Sequence, residues 1–231
     1  MNTAQLKNYA PEARKEFIAA VSAQAARLGI TARGIADAQV KGDVLLVGGQ
    51  AFQKSVESQR NALVKRVKAE GFDAVMEAVA YTWFNRFVAL RYMELHGYLE
   101  HGYRVLSHPD GQGRPEILDH AADVDLPGLD QAVAVELKLD GTRDEDLYRL
   151  VLKAQCNALN RAMPFLFEPI GGETELLLPA ILLHTDSLIR QLVERIDEST
   201  WDQIEIIGWL YQFYISEKKD QVIGKVVVAP S

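Results

Sequence analysis

One cysteine and the absence of long apolar runs limit the classes of protein that this 231-residue sequence can represent. Cys156 stands alone, which excludes an internal disulfide framework and suits a reducing compartment. No apolar segment approaches the length of a membrane span, and the N-terminus lacks the apolar core of a secretion signal. We therefore expect a cytoplasmic protein without membrane contact. Cys156 is predicted on the polar side of a helix with no neighbouring His, so a nucleophilic role is not indicated.

Charge is distributed unevenly along the chain, whose net charge is −7. Residues 1–114 carry 15 Lys and Arg against 11 Asp and Glu, which gives +4, whereas residues 115–231 carry 10 against 21, which gives −11. Such a difference indicates that the two halves have different partners, or that the second half is an acidic module that binds other proteins. A solvated acidic surface is the simpler interpretation.

Hydrophobic periodicity predicts a mainly α fold, an irregular multi-helix domain with one or two small β elements over residues 1–231. The first helix is expected to begin near Pro11, where a missing N–H costs nothing. Val44–Val47 and the two glycines that follow predict a short strand and a turn. Residues 54–70 and 72–95 predict two further helices.

The last predicted helix, over residues 201–215, is apolar on nearly every side. Such a helix needs cover on most sides, so we interpret it as a junction with a further domain. Its inner side is expected to pack on the preceding helix through Leu188, Leu192 and Ile196. Its outer side should be exposed in the isolated chain and should promote self-association at high concentration. The predicted junction residues are Trp201, Trp209, Tyr211, Phe213 and Tyr214.

A basic helix is predicted within residues 54–68, which carry five cationic side chains against Glu57, a local charge of +4. Cationic side chains on a helix suit contact with DNA phosphates but carry no information about base sequence. We expect any DNA binding to be weak, insensitive to sequence and reduced by salt; a solubilising face is the alternative interpretation. The candidate DNA-binding residues are Lys54, Arg60, Lys65, Arg66 and Lys68.

Two patterns of possible metal ligands lie in the middle of the chain. Asp110, Glu136 and Lys138 fit the loose Pro-Asp…Glu-x-Lys signature of Mg²⁺-dependent nucleases, provided that residues 133–139 form a half-buried strand. The same stretch also fits a helix that ends at Gly141. The second pattern consists of His96, His101, His108 and Asp110. Its spacing matches no zinc site, and roles at helix ends or in turns explain these residues more simply.

Arg86 falls inside the apolar stripe of the predicted helix over residues 72–95. A buried guanidinium is costly unless it is paired. We therefore expect Arg86 to find a carboxylate within the core, the alternative being that it faces a partner protein.

Several aromatic-rich blocks resemble, in the same order, the N-terminal region of the PglX family, the adenine-specific DNA methyltransferases of BREX phage-defence systems. The resemblance covers most of the chain and is weaker between residues 31 and 60. The blocks are Asn8-Tyr-Ala-Pro-Glu-Ala-Arg14, Ala80-Tyr-Thr-Trp-Phe-Asn-Arg86, Arg91-Tyr-Met-Glu-Leu-His-Gly-Tyr98, Val105-Leu-Ser-His-Pro109, Ala162-Met-Pro-Phe-Leu-Phe-Glu168, Glu173-Thr-Glu-Leu-Leu-Leu-Pro179 and Ile204-Glu-Ile-Ile-Gly-Trp-Leu-Tyr-Gln-Phe-Tyr-Ile-Ser-Glu-Lys-Lys-Asp-Gln-Val-Ile-Gly-Lys-Val-Val227.

The resemblance implies a long methyltransferase domain after the region seen here, with S-adenosylmethionine as the cofactor of the full-length enzyme. It implies that this chain is the helical region before that domain, which supports the domain, contacts DNA or meets other BREX proteins. No cofactor is expected in this chain itself.

A DNA adenine methyltransferase site needs a glycine-rich turn for the cofactor and an Asn/Asp-Pro-Pro-aromatic loop for a flipped base. The sequence has no Pro-Pro pair, and Gly48-Gly49, the glycines after the predicted strand, lack the Gly-x-Gly spacing. We therefore predict that the isolated chain is catalytically inactive.

Overall fold

The computed structural model describes the backbone of residues 4–168 and 172–227, and the side chains of these residues up to 216. Eight α-helices account for most of the described chain. They are α1 (Ala4–Arg27), α2 (Val56–Glu70), α3 (Phe72–Leu95), α4 (Gln131–Asp140), α5 (Asp144–Leu159), α6 (Glu173–Leu176), α7 (Leu188–Arg195) and α8 (Glu205–Val227).

Five short antiparallel strands fill the connection between α1 and α2. They form a two-stranded hairpin and a three-stranded meander in which each strand pairs with the next along the chain. The strands are β1 (Ile30–Thr31), β2 (Gly34–Ile35), β3 (Ala38–Lys41), β4 (Val44–Val47) and β5 (Gln50–Gln53). The predicted mainly α fold and the predicted strand at Val44–Val47 are thus confirmed.

Helix α3 lies at the centre of the fold, because it is apolar enough to be covered on several sides. Helix α1 packs along both α3 and α8, while α2, α7 and the 3₁₀ turn at Glu198–Asp202 contact α3 elsewhere. Aromatic rings join the three long helices: Phe84 of α3 meets Phe17 of α1 edge-on at 5.7 Å and stacks on Tyr214 of α8 at 4.3 Å. Side chains from both halves of the chain share one continuous core.

The first helix begins earlier than the sequence predicted. Pro11 lies inside α1 rather than at its start. A proline within a helix removes one backbone hydrogen bond, and here a buried stripe that begins at Leu6 outweighs that loss. Among the described residues, no helix is both long and apolar enough to cross a membrane.

Candidate interaction site

An open apolar groove of about 560 Å³ lies between α3, α8 and the turn over residues 163–166. Helix α8 and the residue before it contribute one stripe at the spacing of a single helical face: Ile204, then Ile207, Gly208 and Tyr211 of the helix. Helix α3 contributes a second stripe, which includes Tyr81, Asn85, Ala89 and Tyr92. The two helices touch where Tyr81 meets the ring of Tyr211 at 5.6 Å.

Large apolar side chains along this groove are exposed to an unusual degree. Phe165 is 83% exposed, Ile204 61%, Tyr98 60% and Tyr211 47%. Single exposed apolar residues are common, but a contiguous set of them marks a binding surface. The groove is therefore the strongest candidate for an interaction site in the described part of the chain.

The lining of the groove is electrically neutral. None of the described side chains that line it is charged, and Asn85 supplies its one amide. Burial raises the pKa of Tyr81 to about 12, and burial also raises the pKa of Tyr214 beneath the groove. Both phenols therefore stay protonated at physiological pH, and the groove suits an apolar occupant rather than a charged one.

The third wall of the groove is fixed by a buried arginine. Arg86 is 2% exposed and donates from Nε and Nη2 to the carbonyl oxygens of Leu166 and Glu168, at 3.3 and 2.9 Å. Its guanidinium also lies 5.2 Å from the ring centre of Trp83, and burial lowers its pKa. Backbone carbonyls therefore hold Arg86 in place of the expected carboxylate within the core, while the carboxylate of Glu168, an exposed residue, acts on it electrostatically.

The predicted junction residues, of which Trp201 precedes α8, lie partly in the core and partly at the surface. Trp201 and Tyr214 are both 1% exposed and belong to the core. Phe213 is half-buried, while Trp209 is 38% exposed and stacks on Phe213 at 5.7 Å, outside the groove. Only Tyr211 of the five lines the groove.

The predicted inner partners of α8 are not its main neighbours. Helix α8 packs chiefly on α1, with further contacts to α3, whereas α7, which carries Leu188 and Leu192, is not among its larger contacts. Those three residues are themselves buried in the core. Extended backbone at Ile196 and Gln203, with a 3₁₀ turn between them, redirects the chain, so consecutive helices do not become neighbours here.

The candidate DNA-binding residues do not form one free basic face. Lys54, Lys65 and Lys68 are exposed. Arg66 contacts the carboxylates of Glu70 and Glu173. The structure corrects the assignment of Arg60: it is 3% exposed and donates to the carbonyl oxygens of Leu28 and Ala36, at 2.8 and 2.6 Å.

The strand on which the nuclease alternative depends is absent, because residues 133–139 lie within helix α4. On a helix, Glu136 and Lys138 point about 200° apart, whereas a strand would place them on one face. Lys138 Nζ instead donates to the carbonyls of Leu118, at 2.9 Å, and Asp119. Asp110 lies on an exposed turn beside His108.

The described residues contain no group of three or more His, Cys, Asp or Glu side chains that could hold a metal ion. His96 contacts the carbonyl of Trp201 at 2.8 Å, and His101 contacts the amide oxygen of Gln155 at 2.7 Å. Cys156 is fully buried and not on a polar face, and this burial raises the pKa of its thiol to about 12.

Sequence reasoning missed most of the groove. Tyr81, Asn85 and Tyr92 lie on a helix that is apolar nearly all round, so periodicity did not single out the side that stays uncovered. Phe165 follows Pro164 in a turn, which was the one available signal of an exposed aromatic side chain.

Comparison with known proteins gives two relatives, although no family model matches the chain. Adenine-specific methyltransferase BrxX of Escherichia coli O9:H4 (strain HS) is 52% identical over 234 residues, which cover 98% of this chain and 19% of the relative. Adenine-specific methyltransferase PglX of Lacticaseibacillus casei (strain Zhang) is 34% identical over 249 residues, 97% of this chain and 20% of the relative. By sequence, this chain is therefore homologous, over nearly its whole length, to about one fifth of the adenine-specific methyltransferases BrxX and PglX.

Proposed function

We propose that this chain is the N-terminal, non-catalytic region of a BREX-type adenine-specific DNA methyltransferase that acts in phage defence. The whole enzyme would transfer a methyl group from S-adenosylmethionine to N6 of adenine in DNA. This region would support the catalytic part and contact the DNA backbone. The observation that carries the proposal is the 52% identity to BrxX over 98% of this chain.

The described fold supports a role without catalysis. Its strands are two to four residues long and antiparallel. The Pro-Pro pair of the adenine-binding loop does not occur in the sequence. A working site needs all of its parts together, so the chemistry belongs to the remaining four fifths of the relatives' length.

Methyl transfer is expected only when this chain is joined to that remainder. A chimera in which the chain replaces the matching fifth of E. coli BrxX should methylate adenine in host DNA, measured by sequencing of N6-methyladenine. The isolated chain should leave DNA unmethylated and give no saturable heat on titration with S-adenosylmethionine.

A BrxX variant that lacks the matching fifth is the control for the chimera, and it should be inactive. Micromolar binding of S-adenosylmethionine by the isolated chain would contradict the proposal. Full methylation by the shortened BrxX would contradict it equally, because the region would then be dispensable.

DNA contact through α2 predicts weak binding that falls steeply with salt. Replacing Lys65 or Lys68 with Glu should lower the affinity and should reduce the slope of log K against log salt by about 1 for each lost phosphate contact. Fluorescence anisotropy with a labelled duplex, titrated at several salt concentrations, measures both quantities.

Arg161→Glu provides a matched control, because it makes the same change of charge at an exposed site after α5. Its affinity should change less than that of either lysine variant, and duplexes of different sequence should bind alike. Equal losses of DNA affinity at Arg161 and at the two lysines would show that only net charge affects binding. Helix α2 would then be a solvated face and not a DNA-binding one.

A further inference from the structure

We infer that the groove between α3 and α8 binds an amphipathic helix from the part of the enzyme that lies outside this chain. This inference rests on the proposed function and specifies how the region would hold the remainder. The occupant would present aliphatic or aromatic side chains along one face, in the manner of a helix laid into an apolar groove.

The shape of the groove suits a helix. Its two long walls are single faces of helices α3 and α8, and a third helix can pack against such a pair. Gly208 lines the α8 wall, and a Cβ placed there would meet no atom within 4 Å. The missing side chain leaves room for close approach of another backbone.

The chemistry of the lining restricts the occupant. A charged group buried among neutral, largely apolar side chains would lose its hydration without gaining a partner. Met93 and Met163 supply flexible side chains that adjust to the shape of an apolar partner. Asn85 offers one amide that would fix the register of the bound helix.

A segment of the same enzyme fits the groove better than a second copy of this chain. The relatives hold about four fifths of their length outside the matched region, and a tethered segment has a high effective concentration. Two copies of this chain would each carry a net charge of −7 and would repel one another during encounter. The occupant is therefore a helix of the remaining polypeptide.

Accessibility of engineered cysteines tests the inference in the BrxX chimera described above. Phe165→Cys and Ile204→Cys are made separately, and Leu139→Cys is the control, because Leu139 is 82% exposed and lies on α4, away from the groove. Labelling by a maleimide is followed at each site by mass spectrometry of the corresponding peptide. The native Cys156 is fully buried and should react far more slowly.

All three engineered cysteines should react rapidly in the isolated chain at low micromolar concentration. In the chimera, the cysteines at positions 165 and 204 should react at least about tenfold more slowly, because the bound helix must open first, while position 139 keeps its rate.

Adding Tyr211→Glu to the chimera should restore rapid labelling at position 165. Gln212→Glu, the same added charge on an exposed neighbour outside the groove, should not.

Equal labelling of positions 165 and 204 in the chimera and in the isolated chain would overturn the inference. Protection that appears in the isolated chain and grows with its concentration would also overturn it, because the occupant would then be a second copy. Adenine methylation by the same chimera is measured separately. Protection without methylation would contradict the proposed function, whereas methylation without protection would contradict only the groove assignment.

Discussion

Replacing Glu94 with Ala is expected to lower the free energy of unfolding by about 3–5 kcal/mol, the usual loss when one member of a buried ion pair is removed. The Glu94 side chain is fully buried. Its Oε1 accepts from Arg91 Nη1 at 2.7 Å and from Ser107 Oγ at 2.8 Å. Its Oε2 accepts from the backbone N–H groups of Val105 and Leu106, both at 2.7 Å. The substitution would leave two buried N–H groups without an acceptor and would remove the fully buried carboxylate beside Arg91, which keeps its contacts with Glu198 and Ser107.

Denaturant unfolding followed by circular dichroism measures this loss. Glu100→Ala, which removes an exposed carboxylate shortly after α3, should change the free energy of unfolding by less than about 0.5 kcal/mol. The double variant Arg91→Met with Glu94→Met should lose less than the sum of the two single variants, because each single variant already removes the contact between the two side chains. Additive losses would show that the two side chains act independently.

Replacing Phe84 with Ala should cost about 3–5 kcal/mol of stability, as expected for deletion of a buried aromatic ring. Phe84 is 1% exposed and lies where α1, α3 and α8 meet. It contacts Phe17 at 5.7 Å and stacks on Tyr214 at 4.3 Å. The cavity would remove contacts from three helices together, and α8 would lose the stacking contact between Tyr214 and α3.

Phe165→Ala is the matched comparison for Phe84→Ala, because Phe165 is 83% exposed. Its removal should change the stability of the isolated chain by less than about 0.5 kcal/mol. Thermal unfolding of the two variants beside the unaltered chain gives the contrast. A large loss from Phe165→Ala would mean that the groove is already closed in the isolated chain.

The fold class followed from local patterns, while the positions of charged residues inside the fold did not. Arg60 was predicted to contact DNA from the surface. Arg86 was predicted to pair with a carboxylate in the core or, alternatively, to face a partner protein. In the structure, backbone carbonyls from other segments bind them, at Leu28 and Ala36 for Arg60 and at Leu166 and Glu168 for Arg86. Carbonyl acceptors are present at every residue, so no sequence pattern marks the ones that a distant loop will present.

The candidate site shows the same division. The aromatic character of α8 and the exposure of Tyr211 were predictable, since one helix surface cannot be covered fully by a single neighbour. The choice of α1 as the main partner of α8, and the groove that remains beside α3, depend on chain direction in the 3₁₀ turn at Glu198–Asp202. The nuclease alternative required residues 133–139 to form a strand. A short apolar stretch of this kind fits either a strand or a helix by its sequence alone, and only tertiary contacts decide between them.

The sequence by itself determined the mainly α class and the resemblance to PglX, because these depend on composition, period and local motifs. Tertiary structure alone decided which side of each apolar helix is covered. A helix that is apolar nearly all round carries no periodic signal to separate its buried face from its binding face. For α3 and α8, packing against α1 covers one side of each and leaves the groove between them open.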